Sequence, residues 1–250
     1  MIYLKKEAEV KKIKTAGKAL AELFALLTSK VVAGITTREL DIFIESYILA
    51  QGMLPACKGY HGYPAASCIS INDVVVHGVP SSDIVIKDGD LVKIDVVVCY
   101  RGYCADMARG FLVGAVRPEI RKLNEIAEDS FLAGLAMVKP GNFIEHISSA
   151  IQRLIELRDA YVVREFVGHG IGRQMHEDPQ IPNFVTRGPQ IRLLPGMVLA
   201  IEPMVLQKPD RVVVDGDKWT ARSSTGVWAA HYEDTVVVTD SGCQILTSVY

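Results

Sequence analysis

No apolar run in this chain approaches the ~20 residues needed to cross a bilayer. The start, M-I-Y-L-K-K-E, lacks the apolar segment of a secretory signal, because Lys18 and Glu22 interrupt the first apolar stretch. Cysteine is scarce and odd in number. Cys57, Cys68, Cys99, Cys104 and Cys243 include no C-x-x-C pair, so a cysteine-held zinc site is excluded and free thiols in a reducing cytoplasm are expected. Strong charge of either sign is also missing: the formal net charge is -2, which argues against DNA as a partner held by bulk charge. No linker, low-complexity tract or shift in composition divides the chain. These absences leave a cytoplasmic globular protein without a membrane or DNA partner.

What is present is an ample core. The 250 residues are 49% apolar, enough for one domain near the upper size of a single core. Residues 5–29 show helical periodicity, with Ile13, Ala16, Leu20, Leu23 and Leu27 on one side. Thr36-Thr37-Arg38-Glu39 forms a capping box that opens a second helix running to Ala50. Strand-like segments follow at 66–71, 74–77, 91–99 and 104–113, with Arg101-Gly102 as a turn between the last two. Pro118 suits the first turn of a third helix, ended by Lys139-Pro140-Gly141, and a fourth spans Phe143 to Leu157. The order predicts an α+β protein with helices backing a mostly antiparallel sheet. The lysines of the first helix (Lys5, Lys6, Lys11, Lys12, Lys14, Lys18) read as a solvated face interleaved with Glu7 and Glu9, with a transient contact to ribosomal RNA as the alternative.

An offset of 107 relates two halves. Gly34 maps to Gly141, Gly89 to Gly196 and Asp95 to Glu202, and the helical apolar positions Leu40, Ile44, Tyr47 and Ile48 map to Ile147, Ile151, Leu154 and Ile155. The period is too long for a solenoid. It predicts two similar halves, about 1–115 and 116–250 of one catalytic domain, each supplying an acid from the same structural place.

Two carboxylates end apolar runs, L-V-K-I-D95 and V-L-A-I-E202. With Asp106, His169 and Glu233 they make four acids and one imidazole, a donor set that suits two divalent cations. Taken singly, each acid is more often a solvated strand end. Buried together without cations, Asp95 and Asp106 would repel, and one should take up a proton. The glycines of G-H169-G-I-G are expected to let backbone pass close to a bound group, and His77 and His176 sit beside turns of their own.

The motifs G-Y-H-G-Y-P at 59–64, C-I-S-I-N at 68–72, V-H77-G-V-P, K-I-D95, D106, F-V-G-H169-G-I-G, H176-E-D-P-Q-I-P, G-M-V-L-A-I-E202-P-M and Y-E233-D-T occur in one order along essentially the whole chain. In this the chain resembles the type I methionine aminopeptidases, of the pita-bread fold. The resemblance implies that Asp95, Asp106, His169, Glu202 and Glu233 hold two divalent ions (Co, Mn, Fe, Zn or Ni), with Asp106 and Glu233 bridging. It implies that His77 and His176 contact the substrate, that Glu202 moves the proton, and that Cys57, Tyr60, Tyr63, Cys68, Met175 and Trp219 form the methionine pocket. The implied substrate is the N-terminal Met of peptides and nascent chains, and a monomer is expected.

Some positions depart from the family pattern. Asp234 stands where His is usual, Val97 and Met107 where threonines are usual, and Met175 where Phe is usual; Ala66, Ala230 and His231 also differ. Asp234 is expected to add negative charge beside the anionic site and weaken the bound metal as a Lewis acid. A catalytically weak or inactive homologue, binding peptides or ribosomes, is the alternative function. Relatives that cleave Xaa-Pro bonds or creatine usually carry an extra N-terminal domain, for which the 76 residues before His77 leave no room. Type II enzymes carry an insertion between the last two acids, separated here by only 31 residues.

Overall fold

The computed structural model describes residues 1–188 and 190–249. The first half contains α1 (Glu7–Leu27), α2 (Thr37–Ala50), β1 (Leu54–Pro55), β2 (Cys68–Ile71), β3 (Val74–Val76), β4 (Leu91–Tyr100) and β5 (Tyr103–Leu112). The second begins with α3 (Pro118–Leu135), α4 (Ile144–Leu157), β6 (Tyr161–Val162), β7 (Gly168–Gly170) and β8 (Glu177–Ile181). It continues with β9 (Val198–Ile201), β10 (Met204–Leu206), β11 (Val212–Val214), β12 (Ala221–Ser223), β13 (Ala229–His231), β14 (Glu233–Val238) and β15 (Cys243–Ile245).

The central sheet runs β1-β4-β5-β14-β9-β7-β8, with β2 also on β4 and β15 on β14. Two three-stranded sheets, β13-β10-β6 and β11-β12-β3, flank it. Every pairing among the described residues is antiparallel. One apolar cluster joins α1 and α2 to β4 and β5, and a second joins α3 and α4 to β9 and β14. Among the described residues no helix is long and apolar enough to cross a membrane.

Local chemistry accounts for the elements. The stripe Ile13, Ala16, Leu20, Leu23 and Leu27 is buried, as its spacing predicts. In the α2 capping box, Glu39 N–H donates to Thr36 Oγ1 (3.2 Å) and Thr36 N–H to Glu39 Oε2 (2.8 Å). Arg101 (φ 47°) and Gly102 (φ 77°) are both left-handed, the signature of a two-residue turn that matches strand twist. The third helix ends earlier than expected, at Leu135. Met137 and Val138 fold back through bonds to Gly134 O and Leu135 O, burying Val138, and the residue before Pro140 is kept out of the helical region.

The two halves repeat in hydrogen-bond detail. Gly34 N–H donates to Ile86 O (2.9 Å) and Gly141 N–H to Leu193 O (3.3 Å). Ile86 N–H donates to Ile35 O (2.9 Å) and Leu193 N–H to Asn142 O (2.7 Å). The isolated bridges Thr36–Val85 and Phe143–Arg192 obey the same 107-residue offset. Each half therefore clamps the entry of its second helix with the same short bridge, which bears out two pseudo-symmetric halves.

Two expectations need correction. Cys99 and Cys104 are not free: they face each other across the β4–β5 hairpin with Cα atoms 4.0 Å apart and are joined as a disulfide, while Cys57, Cys68 and Cys243 remain thiols. Lys5 is not part of a solvated basic face: its Nζ donates to Glu177 Oε2 (2.6 Å) in a buried pair.

Candidate metal centre and substrate cavity

Sheet register converges the acids. Asp95 and Glu233 both pair with Ala108, and Val97 pairs with Asp106. Since side chains alternate along a strand, Asp95, Val97, Asp106 and Glu233 share one face. Glu202 follows β9, the neighbour of β14, and His169 lies on β7 opposite Ala200 of β9. Five donors from five adjacent strands thus meet near one point.

The distances fit. His169 Nε2 lies 3.8 Å from Asp106 Oδ2 and 3.5 Å from Glu202 Oε1. Donor atoms of Asp106, His169 and Glu233 all fall within 4.8 Å of one another. His169 Nδ1 is 3.0 Å from Gly170 O, so the ring hydrogen is spent on that carbonyl and Nε2 keeps a free lone pair. Burial and the adjacent His176 hold His169 neutral by lowering its pKa to about 3.

Metal-free, this arrangement is electrostatically unfavourable. Burial raises Asp95 to about 6 and Glu202 to about 8. Burial, reinforced by neighbouring carboxylates, pushes Asp106 and Glu233 well above the usual carboxylate range. Buried Asp106 Oδ1 and Glu233 Oε1 have no hydrogen-bond partner. Val97, opposite Asp106 on β4, has no donor to give. Divalent cations would supply the missing partners and remove the repulsion, so the residues fit the metals that the donor set implies.

The acids open into a cavity of about 1070 Å³, and all thirteen residues singled out from the sequence line it. His77 directly follows β3 with φ 59° and stacks edge-on against Phe166 (centroids 5.2 Å). Burial, followed by repulsion from His231 and His176, lowers His77 to about 4, so it stays neutral. His176 Nδ1 lies 2.8 Å from the Tyr60 hydroxyl, and its ring sits edge-on to His169 (4.4 Å). Tyr63 meets Trp219 edge-on at 5.2 Å and donates to Ser67 O and Gly78 O. Cys57, Cys68 and Met175 are buried beside them.

Two readings of the sequence change. Gly168 and Gly170 make room for strands rather than for a bound group: a Cβ would lie 2.5 Å from Ala200 O and 2.2 Å from Asp178 O. Met107 alternates away from the site. Asp234 does too, opposite Met107 and Ile201, where Arg109 Nη2 grips both its oxygens at 2.8 Å and Thr247 donates at 2.6 Å. Asp234 therefore adds no uncompensated charge to the acids.

Sequence reasoning missed several supporting groups. Fully buried Asp41 of α2 accepts from Ala66 N, Ser67 N (both 3.0 Å) and Ser67 Oγ (2.9 Å), pinning the loop that carries Cys57, Tyr60, Tyr63 and Cys68. Its signal was an acid within the apolar stripe Leu40, Ile44, Ile48. Thr235 Oγ1 accepts from Asp106 N (2.8 Å) and donates to Asp106 O (2.9 Å), fixing the backbone of a candidate ligand. Lys93 lies two residues before Asp95 on the same face, buried, with Nζ 2.7 Å from Asn72 O. Burial lowers it to about 7.

A sheet that gathers four carboxylates and an imidazole at the floor of a cavity defines a metal-dependent hydrolase, and residues 11–240 match the model of metallopeptidase family M24. The chain belongs to that family. It is 47% identical over 249 residues to a methionine aminopeptidase of Clostridium perfringens, covering 100% of both chains. It is 41% identical over 247 residues to that of Escherichia coli, covering 98% of this chain and 94% of the relative. The crystal structure of a methionine aminopeptidase from Thermotoga maritima superposes with a TM-score of 0.97 at 40% identity, covering 99% of this chain and 100% of that one. The pita-bread fold and the resemblance read from the motifs are both borne out.

Proposed function

We propose that this chain is a metallo-aminopeptidase that releases N-terminal methionine, working as one catalytic domain with halves 1–115 and 116–250. The observation that carries the reading is the meeting of the complete ligand set, both substrate histidines and the sulfur-and-aromatic pocket in a single cavity. Full-length identity to methionine aminopeptidases supports it. Asp95, Asp106, His169, Glu202 and Glu233 hold two divalent ions, of the group Co, Mn, Fe, Zn or Ni. Bound there, such ions supply a water acidified towards neutral pH and polarise the scissile carbonyl.

The side chains do the rest. Glu202 accepts a proton at its carboxyl oxygen and returns it to the leaving amine. With the Tyr60 hydroxyl donating to Nδ1, His176 carries its hydrogen on Nε2 and offers it to the developing oxyanion. Neutral His77 orients the peptide nitrogen. Cys57, Tyr60, Tyr63, Cys68, Met175 and Trp219 take the thioether, for which sulfur–aromatic contacts are favourable.

All thirteen groups come from one chain, which supports action as a monomer. Nascent chains in the cytoplasm are the source of suitable termini. The exposed lysines of α1, of which Lys11 and Lys18 pair with Glu7 and Glu22, are the face a transient ribosome contact would use. The test is hydrolysis of Met-Ala-Ser against Leu-Ala-Ser and Ala-Ala-Ser by metal-loaded protein. Selective release of methionine is expected. Equal rates on all three, or no turnover with any of the five metals, contradicts the reading.

A further inference from the structure

His231 stands outside the five-residue set, yet its geometry is that of a ligand. It ends β13, in register with Met204 of β10, two residues beyond Glu202. It is 1% exposed, and its Nε2 is buried with no hydrogen-bond partner. That atom points between two carboxylates, 3.5 Å from Glu202 Oε2 and 3.9 Å from Glu233 Oε2. Both separations are too long for an N–H···O bond. They are close to the spacing of two donors on one ion, about 3.4 Å for tetrahedral bonds of ~2.1 Å. Glu202, His231 and Glu233 offer three donor atoms within 4.8 Å of one another, a second cluster beside that of Asp106, His169 and Glu233.

The two oxygens of Glu202 face different rings. Oε1 lies 3.5 Å from His169 Nε2 and Oε2 lies 3.5 Å from His231 Nε2. We propose that His231 is a sixth protein ligand of this centre, so that each of the two ions has its own imidazole, with Glu202 between them. This rests on the ligand set proposed above and goes beyond it. An added neutral nitrogen donor leaves the charge of the site unchanged. It shifts preference towards cations that favour imidazole, such as Zn, Ni and Fe, over oxygen-preferring Mn.

The experiment is proton NMR of the protein loaded with two equivalents of Co(II), recorded in H2O and in D2O. A ring N–H of a cobalt-bound imidazole appears as a strongly shifted, exchangeable line. Two such lines are expected from the unsubstituted protein and one from His231→Gln. In parallel, His231→Gln should weaken Zn or Ni binding by roughly tenfold or more, and Mn binding much less. A single shifted N–H line in the unsubstituted protein with two ions bound overturns the assignment of His231 and leaves the five-residue set standing. So does an equal loss of affinity for Zn, Ni and Mn, which would mark His231 as a neighbour that only orients Glu202. Failure to bind cobalt at all overturns both readings. The line count in the unsubstituted protein does not depend on the variant folding.

Discussion

Asp106 and His176 lie in the same cavity, the roles proposed for them differ, and substitution separates those roles. Asp106→Ala removes an acid expected to bridge both ions, so metal content and nearly all turnover should be lost together. His176→Ala should keep the metal and lower kcat by about 10²–10³, because its hydrogen bond is made to charge that develops only in the transition state. Metal analysis beside peptide hydrolysis distinguishes them; an Asp106→Ala protein with two ions and normal rate would refute the bridging role. Asp234 provides the contrast. Its carboxylate is turned away from the acids and held by Arg109, so Asp234→His should leave metal affinity and the pH–rate profile unchanged. It should destabilise the fold by about 2 kcal/mol, since Arg109 loses its partner but keeps some contact with solvent. A shifted pH–rate profile at saturating metal would contradict this. The candidate site residues were legible because acids ending apolar runs and a histidine between glycines are chemically conspicuous. The direction of a side chain along a strand was not: Asp234 and Met107 adjoin ligands in sequence and face the opposite way.

At the scale of elements, the pocket depends on a loop with no regular structure of its own beyond a short turn at Tyr60–Gly62. Asp41 of α2 holds it by three hydrogen bonds, so Asp41→Ala should cost about 2–3 kcal/mol, the range for bonds to a charged acceptor, and leave donors unsatisfied. The groups proposed to act on the peptide bond, His77, His176 and Glu202, lie outside that loop. KM for methionyl peptides should therefore rise several-fold with kcat less affected, as steady-state kinetics and thermal unfolding would show; an unchanged KM would remove Asp41 from its positioning role. The long helices, the capping box and the β4–β5 hairpin were readable from period, caps and turn residues. Short strands between Gly and Pro loops were expected in the second half, but their positions were not readable, because so short a segment shows no periodicity and forms only where a neighbour offers a ladder. The Cys99–Cys104 pair was missed for a different reason: free thiols in a reducing compartment were expected, although the Arg101-Gly102 turn sets the two cysteines opposite each other.

For the whole molecule, the central quantity is the electrostatic cost of assembling four carboxylates. Their folded-state pKa values are raised, with Asp95 at about 6 and Glu202 at about 8. A carboxyl raised on folding binds more protons folded than unfolded, so stability falls as pH rises from the unfolded value near 4 through the folded one. The metal-free protein bears this penalty increasingly between pH 5 and 8, and bound cations cancel it. The gain in Tm on adding metal should therefore grow across that interval; a gain independent of pH would show that the acids are not titrating against the metal. The 107-residue repeat explains how one fold brings such a set together, since each half supplies an acid from its equivalent strand, Asp95 and Glu202. That much was visible in sequence, whereas the placement of His231 at the end of β13, beside Glu202 and Glu233, was not. The most direct measurement strips the protein of metal, adds one cation stepwise, and follows bound ions and methionine release from Met-Ala-Ser in the same samples. Release should be absent in the stripped protein, rise with loading, and reach its plateau by two ions per chain. Release that survives full removal of metal, or its absence with two ions bound, would contradict the account.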